Sequence, residues 1–373
     1  MPVDLLVGGD IVPTRTPTAN GFASVVGAMR DADITFVNLE TPLSRRGSAA
    51  DKLIRFRTDP SVAALVASWG VDVVTLANNH ALDYGTDALL DTMDCLEQAG
   101  VAHVGAGLNI ESALAPTVLE RANLRFAFMG VASTLPNGSS AGPERAGVGP
   151  VRVFSRFLVD TVTIDEDPGM SPWVETVSML EDVERLERKV SEAKQVTDVV
   201  IVACHWGVPP ALLPTCQGPL ADYQRPLAHR LIDAGADAVL GHHPHTLHGI
   251  EWYKERPIFY SLGNLLFHTL QGDMAPSRSQ PRYRLFELHG ELAHLGGLAS
   301  LSWEVPGPPT RVELLPVLLD ENGDPAFGRS EQLTASLEHL GDHCAELGTS
   351  IDWQDDRSGR ATVRIRPTGN PTP

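Results

Sequence analysis

Seven short runs rich in Val, Ile and Leu recur along the chain, and many of the segments between them repeat apolar residues with a helical period. Unbroken runs of this kind are typical of strands buried on both faces. The runs are VDLLV (3–7), ITFV (34–37), VDVVTLA (71–77), RFAFMGV (125–131), DVVIVAC (198–204), ADAVL (236–240) and PIFYSL (257–262). Apolar residues recur every three or four positions at 86–100, 175–195 and 223–237, which predicts amphipathic helices. The alternation predicts an α/β protein with a substantial sheet.

Two regions depart from this alternation. Residues 133–151 are rich in Gly, Pro and Ser and are predicted to form a long surface loop, which begins an insertion or substrate lid over 133–175. After residue 330 the sequence predicts one amphipathic helix, then the segment ATVRIRP and a Pro-rich end that we expect to fray. We therefore predict a main domain over 1–330 and a C-terminal helix and tail over 331–373.

The charge balance limits the partners of the chain. It carries 47 acidic and 29 basic side chains, a net charge of −18 over 373 residues. Such an acidic protein is repelled by the phosphate backbone, so we expect no nucleic-acid partner. A small basic pocket for an anionic substrate is compatible with the same balance.

The cysteines and the apolar segments bear on where the protein works. The four cysteines are widely spaced and form no CxxC pair, which favours reduced thiols over a disulfide framework; they are Cys95, Cys204, Cys216 and Cys344. The opening MPVDLLVGGD is typical of a strand, not of a secretion signal. No apolar stretch approaches the roughly 20 residues of a membrane helix. We predict a cytoplasmic protein without a membrane partner.

Polar side chains follow five of the predicted strands at the point where each strand ends. They are Asp10; Asn38 and Glu40; Asn78, Asn79 and His80; His205; and His242, His243 and His245 in the turn GHHPH. Because the carboxyl ends of strands in α/β sheets meet at one edge, where ligands bind, we expect these groups to converge.

The chemistry of this set favours a metal centre. Carboxylate, amide and imidazole donors without a thiolate suit Mn²⁺, Fe or Zn²⁺. Two cations roughly 3.5–4 Å apart would clamp a tetrahedral oxyanion and activate a water. Taken singly, most members have a structural explanation: Asp10 as a cap, Asn78 and Asn79 as a turn, and His205 as a packed core histidine. The turn with three histidines favours metal, and so does the occurrence of every group at a strand end.

Six motifs in this order resemble one protein family. They are GGDIVPTR, FVNLETPLS, LANNHALDYG, HWG, GHHPHTLHGIE and IFYSLGN, and they cover about 3–270. The set closely resembles the CapA family of poly-γ-glutamate (capsule) synthesis proteins, which is similar to the calcineurin-like metallophosphoesterases. The resemblance implies a metallophosphoesterase-like, four-layer αββα sandwich: two mixed sheets face to face, helices outside and the site on one edge.

The resemblance also implies roles for individual residues around two divalent metal ions. The ligands of the first metal would be Asp10, Glu40 and His245, and those of the second would be Glu40 as the bridge, Asn79, His205 and His243. His80 would protonate the leaving group or stabilise the transition state. Arg15 and Asn38 would contact an anion, and Asn264 of SLGN would brace the site. The role of His242 stays open.

Two departures from the family pattern matter. Metallophosphoesterases usually carry a histidine two residues after the first Asp, where this chain has Val12, so we expect the first metal to be held weakly. Many relatives have a Glu soon after HWG, whereas this chain continues VPPALLP, which suggests a different substrate.

The main functional hypothesis is a metal-dependent hydrolase that uses a metal-activated water. The bond is a phosphoester or a γ-glutamyl or other peptide-like amide, and the sequence does not choose between them. The expected partner is a small-molecule or peptide-like anionic substrate. The alternative is a non-catalytic accessory protein that binds poly-γ-glutamate or its biosynthetic machinery.

Overall fold

The computed structural model describes residues 2–52, 54–170, 172–207, 220–268 and 294–368. The strands of these residues, numbered in chain order, are β1 (Val3–Val12), β2 (Ile34–Leu39), β3 (Val73–Thr75), β4 (Ala102–Val104), β5 (Ala106–Gly107), β6 (Thr117–Arg121), β7 (Leu124–Ala132), β8 (Gly147–Val148), β9 (Val153–Leu158), β10 (Trp173–Ser178), β11 (Val199–His205), β12 (Ala238–His242), β13 (Ile250–Tyr253), β14 (Arg256–Phe259), β15 (Asn264–Phe267), β16 (Leu295–Trp303), β17 (Arg311–Leu319), β18 (Pro325–Phe327), β19 (Thr349–Asp355) and β20 (Ala361–Pro367). The helices are α1 (Phe22–Asp31), α2 (Val62–Ser68), α3 (Gly85–Gln98), α4 (Ile110–Ala113), α5 (Thr161–Glu166), α6 (Leu180–Val196), α7 (Gln224–Ala234) and α8 (Ser330–Glu346).

Two large mixed sheets form the centre of the molecule. The first has ten strands in the order β19-β20-β17-β16-β1-β2-β3-β4, with β15 beside β1 and β18 beside β17. The second has six in the order β13-β14-β12-β11-β7-β6. Strands β1 to β4 are parallel to one another, as are β7, β11, β12 and β14. All of these parallel strands therefore deliver their carboxyl ends to one edge of their own sheet.

Alternation of side chains along each strand produces the layers. In β1, Leu5 points into the core between the sheets and Leu6 points outward, and in β11 Ile201 and Val202 do the same. Helices α1, α2 and α3 cover the outer face of the first sheet, and α6 and α7 cover that of the second. Because strands in the middle layers are covered on both faces, they appear in the sequence as unbroken apolar runs. The predicted four-layer αββα sandwich is confirmed.

The predicted elements agree with the structure except in one helix. All seven apolar runs coincide with strands, and the helices predicted at 86–100 and 223–237 are α3 and α7. The helix predicted at 175–195 is wrong at its start, because β10 occupies Trp173–Ser178 and α6 begins only at Leu180. Val174 and Thr176 are β-branched residues that pair with residues of β9. Apolar residues recur with the helical period only beyond them.

The region predicted as a loop and lid has two parts. Residues 133–151 are largely irregular, as expected for a loop, but both ends of the segment are buried and only its middle is exposed. Strands β9 and β10 then form a separate two-stranded ribbon that carries α5 between them. The function of this region as a lid stays a prediction.

The C-terminal residues contribute to the main core. The predicted amphipathic helix is α8, and its Leu333, Leu337 and Leu340 lie in the core between the sheets. The segment ATVRIRP is β20, which pairs with β17 and β19 and so extends the first sheet. The Pro-rich end, 369–373, lies outside the described residues.

Two smaller predictions concern membranes and thiols. None of the helices in the described part of the chain combines the length and the apolar character needed to span a bilayer. Cys95, Cys204 and Cys344 are free thiols, whereas Cys216 and the segment VPPALLP lie outside the described residues.

Candidate metal centre

Side chains from both sheets meet at the edge where the parallel strands end. His205, the last residue of β11, places its Nε2 atom 2.8 Å from Asn79 Oδ1, which comes from the first sheet. The same nitrogen lies 3.2 Å from His243 Nδ1 and 3.5 Å from Glu40 Oε1. Burial and the imidazole of His243 lower the pKa of His205 well below its usual range, so the ring is neutral. Neutral imidazole is the form that binds a metal.

Two groups of three side chains could each hold a cation. The first is Glu40, His205 and His243, and the second is Asp10, Glu40 and His245. Within each group, one donor atom from every residue lies within 4.8 Å of the others. Glu40 belongs to both groups, which is the position of a bridging carboxylate. The structure thus brings together all six predicted ligands, including Asn79, and their binding of metal stays a prediction.

Glu40 is the residue that best tests whether this site fits a metal. Its side chain is completely buried, and neither carboxylate oxygen has a hydrogen-bond partner among the residues that the structure describes. Burial raises the pKa of this carboxyl well above its usual range. No hydrogen bond compensates the burial of this carboxylate, and the Nε2 atoms of His205 and His245 lie 3.5 and 3.9 Å from its Oε1 atom. Cations on both sides of Glu40 would supply the missing partners, so the donor set fits a metal pair.

One carboxylate oxygen of Asp10 faces the metal centre, and the other is held by neighbouring side chains. Its Oδ1 atom accepts from Asn38 Nδ2 at 2.8 Å and lies 3.1 Å from His242 Nδ1. Its Oδ2 atom faces His245 Nδ1 at 3.3 Å. Burial alone would raise the pKa of Asp10, but His242 and His245 lower it well below its usual range. Asp10 is therefore a charged ligand candidate, and His242, whose role was open, positions it.

The turn that carries His243 and His245 has an unusual backbone. Both residues have positive φ angles, 101° and 57°, in a region that side chains other than glycine rarely occupy. His245 Nδ1 contacts Asn264 Oδ1 at 2.9 Å, so Asn264 braces this ring. Burial alone would lower the pKa of His245, but Glu40, Asp10 and Asn264 raise it to about 9.

His80 belongs to a second, adjoining network. Its Nδ1 atom lies 2.7 Å from Asp83 Oδ2, and its Nε2 atom faces Glu40 Oε1 at 3.9 Å. Lys52 Nζ donates to Asp83 Oδ1 at 2.6 Å and to the backbone oxygen of Asn79 at 2.7 Å. Burial lowers the pKa of His80 to about 4 although Asp83 opposes this effect, so the ring is neutral and exposes Nε2 to the centre.

Sequence reasoning missed Asp83 and Lys52. Asp83 is fully buried and lies three residues after His80 in the motif LANNHALDYG, a spacing that could have identified it. Lys52 lies in an irregular segment, and its sequence neighbourhood gives no comparable signal.

Two predicted anion-contacting residues are held elsewhere. The guanidinium of Arg15 forms an ion pair with Asp324 at 3.0 Å, so an anion contact would require this pair to open. Asn38 is fully buried, donates to Asp10 and accepts from Asn78 Nδ2 at 3.0 Å. These contacts make Asn38 a support for Asp10, and contact with a substrate would break them. Both anion-binding roles stay predictions.

The fold is a four-layer αββα sandwich, and carboxylates and imidazoles meet between the edges of its two sheets. Together they define a class of protein with a candidate dinuclear metal centre. The sequence profile of the bacterial capsule synthesis protein PGA_cap matches residues 4–269 of this chain. The match covers most of the chain, and the chain therefore belongs to this family. The resemblance based on its motifs is confirmed.

Curated relatives agree with this assignment. The chain is 31% identical over 318 residues to the uncharacterized protein y4sH of Sinorhizobium fredii, covering 70% of this chain and 66% of that protein. It is 30% identical to the PGA biosynthesis protein CapA of Bacillus subtilis, covering 66% and 56%. It is 32% identical to a probable polyglutamine synthesis accessory protein of Mycobacterium tuberculosis, covering 63% and 55%. The chain thus spans less than two thirds of the length of each of these relatives.

Among solved structures, the chain is similar to a hypothetical protein from Thermus thermophilus, with 19% identity and a TM-score of 0.43 over 84% of this chain and 98% of that one. It is also similar to a novel phosphatase from Mycoplasma pneumoniae, with 12% identity and a TM-score of 0.43 over 85% and 94%. Similarities this distant carry no inference about the chemistry of this chain.

Proposed function

We propose that this member of the capsule synthesis family is a metal-dependent hydrolase that acts on an anionic substrate, cleaving a phosphoester or a γ-glutamyl or other peptide-like amide bond. The observation that carries the proposal is Glu40, a fully buried carboxylate for which the described part of the chain offers no hydrogen-bond partner on either oxygen. A carboxylate with only a structural role in this position would destabilise the fold without a compensating interaction. The two donor groups that share Glu40 supply a reason for its presence.

The donors fit two divalent cations of the Mn²⁺, Fe or Zn²⁺ class. Asp10, Glu40 and His245 would hold one, and Glu40, Asn79, His205 and His243 would hold the other. When bound, such a pair lowers the pKa of a coordinated water and stabilises negative charge that develops on the substrate. The first group has fewer ligands, since Val12 replaces a histidine that is usual in metallophosphoesterases, and we expect this position to bind its metal more weakly.

Side chains of the protein would transfer the proton in the proposed reaction. His80 presents Nε2 toward the centre, and Asp83 fixes its ring from the opposite side through Nδ1. Because the single N–H of the neutral ring is on Nδ1 and donates to Asp83, Nε2 would first accept a proton from the attacking water and then return it to the leaving group. Lys52 holds both Asp83 and the backbone oxygen of Asn79, so it couples the orientation of His80 to that of a metal ligand. The stacked ring of Phe56, 4.1 Å from that of His80, keeps water from this side.

The test begins with elemental analysis of the purified full chain, followed by removal of metal and reloading with Mn²⁺. The loaded protein is assayed on p-nitrophenyl phosphate, on bis-p-nitrophenyl phosphate and on a γ-glutamyl p-nitroanilide. We expect turnover of one bond class, loss of that turnover without metal, and loss of both metal and turnover in Glu40→Gln. Glu120→Gln, at an exposed position of β6, is the matched control and should behave as the wild type. Bound metal without activity on either bond class would contradict the proposal.

The alternative is an accessory protein that binds poly-γ-glutamate without cleaving it. The Mycobacterium relative is named as a probable accessory protein, which favours an accessory role for that protein. The same preparation decides the matter for this chain. Metal-dependent retention of poly-γ-glutamate, with unchanged polymer length and no turnover of small substrates, would support the accessory function.

A further inference from the structure

Two histidines outside the metal centre lie one helical turn apart on α8. His339 and His343 occupy positions i and i+4, and their Nε2 atoms are 3.2 Å apart. The rings meet nearly edge to face, with centroids 4.6 Å apart and an angle of 78° between their planes. Residues at this spacing lie on the same face of a helix. Neither histidine contributes to the two donor groups at the sheet edge.

The distance between these nitrogens matches the distance between two nitrogen ligands of one metal ion. Zn–N bonds are about 2.0–2.1 Å long, so two nitrogens on a tetrahedral zinc lie roughly 3.3–3.4 Å apart. The observed 3.2 Å is close to this separation. Two histidines at i and i+4 on one helix are also a recurrent way of presenting two imidazoles to zinc. The competing explanation is one hydrogen bond between two neutral rings.

The surroundings of the pair favour a cation. His339 is exposed, so an ion can reach it from solvent, whereas His343 is half-buried. The carboxylates of Asp342 and Glu346 lie near enough to act electrostatically on His343, and they add negative charge beside the pair on a chain whose net charge is −18.

The helix that carries the pair packs on the segment that follows the GHHPH turn. The ring of His248 lies 5.3 Å from that of His343. Ile250 donates its backbone N–H to Cys344 Sγ at 3.4 Å. A Cβ atom on Gly249 would lie 3.0 Å from the backbone oxygen of His343, so α8 approaches this segment closely. An ion on the pair would therefore fix a helix that supports the chain just beyond His245.

We propose that His339 and His343 chelate one divalent cation of the zinc class, at a site separate from the metal centre between the sheets. The two imidazoles supply two ligands, and water completes the coordination. The site does not depend on the proposed hydrolase function, because it requires neither Glu40 nor a substrate.

The experiment is equilibrium dialysis of the metal-free full chain against Zn²⁺, with elemental analysis of the bound metal. We expect the His339→Asn/His343→Asn double variant to bind one zinc fewer per chain than the wild type. His103→Asn, which alters a mostly buried histidine of β4 paired with Glu97, is the control and should lose none. Glu40→Gln should lose zinc at the sheet edge and keep the equivalent on α8, which separates this site from the other.

A second measurement covers the case in which the double variant folds poorly. In the Glu40→Gln background, Zn²⁺ should raise the melting temperature of the protein, because it binds the folded helix and not the unfolded chain. The single variant His339→Asn, at an exposed position, should abolish that rise. Equal zinc content in the wild type and the double variant, with no such rise, would show that the pair is only a hydrogen-bonded pair of rings.

Discussion

Glu40 determines, at the level of a single residue, how metal affects the stability of this protein. We expect Glu40→Gln to leave the free energy of unfolding of the metal-free protein within about 1 kcal/mol of wild type, because neither carboxylate oxygen has a hydrogen bond to lose among the described residues. A cation at 100 times its Kd stabilises the fold by about 2.7 kcal/mol. The wild type should show such a gain with Mn²⁺ and the variant should lose most of it. Urea unfolding with and without Mn²⁺ measures both quantities.

One outcome would contradict this prediction. If Glu40→Gln destabilised the metal-free protein by several kcal/mol, the carboxylate would be engaged in contacts within the fold, and its role as a bridge between metals would lose its basis. Glu120→Gln again controls for the loss of one charge.

Asp83 is a positioning residue for His80 in the proposed reaction. Asp83→Asn removes the charge that holds Nδ1 and allows the ring to turn or change tautomer. We expect kcat to fall about 10–100-fold, the usual effect of losing a partner of this kind, while KM and bound metal stay near wild-type values. Steady-state kinetics with elemental analysis makes the measurement. Asp87→Asn, on the exposed first turn of α3, should change neither.

An Asp83→Asn variant with wild-type kcat would remove His80 and its network from the mechanism. A variant that loses metal as well would instead indicate that the bond from Lys52 to the backbone of Asn79 depends on Asp83. Bound metal separates the two cases, and a change in the titration of His80 would also shift the pH at which kcat is half-maximal.

At the level of elements, close contact between β1 and the chain before β15 sets the position of Asp10. A Cβ atom on Gly9 would lie 2.0 Å from the backbone oxygen of Gly263, and that oxygen accepts from the N–H of Asp10 at 2.9 Å. Gly9→Ala should therefore force the strands apart. We expect a loss of about 3 kcal/mol in the free energy of unfolding, at the upper end of overpacking effects, together with loss of bound metal.

Gly27→Ala is the matched control for this prediction. Gly27 lies inside α1 and has no atom within 4 Å of the position that a Cβ would take. An alanine there should stabilise the protein by about 0.5–1 kcal/mol, because it lowers the entropy of the unfolded chain. Equal stability of the two variants would show that the contact between Gly9 and Gly263 is not rigid.

The central strands could be predicted because burial on both faces leaves unbroken apolar runs, but other strands carry a weaker signal. Strand β16 contains Gly296 and Gly297, and β17 contains Pro316, residues that usually argue against a sheet interior. Pro316 is paired with Gly297, and the space that a side chain on Gly297 would take is filled by Leu314. Such pairing joins residues that are distant in sequence, and no local pattern indicates it.

The candidate site also combines residues that the sequence predicts with contacts that it does not predict. The groups at strand ends could be predicted, because one rule of sheet geometry brings every carboxyl end to the same edge. Arg15 also follows a strand, but its partner Asp324 lies 309 residues away. Only the folded chain reveals that contact, which would have to open before Arg15 could bind an anion.

At the scale of the whole molecule, Asp324 joins three parts of the chain. It accepts from the backbone N–H of Thr18 at 2.6 Å and from Arg15 Nη1 at 3.1 Å, both in the segment after β1. It also lies 2.9 Å from Nε2 of His268, which follows β15. Thr14 donates its backbone N–H to Nδ1 of His268, so the ring is a tautomer that donates from Nε2 to Asp324.

This junction predicts how stability depends on pH. Burial alone would raise the pKa of Asp324, but the bonds from Thr18, Arg15 and His268 lower it to about 2. An unfolded aspartate titrates near 3.9, so the folded state favours the ionised form. Its contribution, about 2 kcal/mol, is therefore fully present above pH 4 and is lost as the pH falls from about 4 to 2. Asp324→Asn should lower the free energy of unfolding by about this amount at pH 7, and the difference from wild type should shrink to near zero at pH 2.

Urea unfolding at a series of pH values from 7 to 2 measures the difference directly. Asp51→Asn, at an exposed position, is the control and should run parallel to the wild type throughout. A difference between Asp324→Asn and wild type that stays constant with pH would mean that Asp324 acts through packing alone. A difference that grows as the pH falls would reverse the predicted sign and place the junction's main contribution in another titrating group. Because the junction lies outside the metal centre, the result should be the same with and without Mn²⁺.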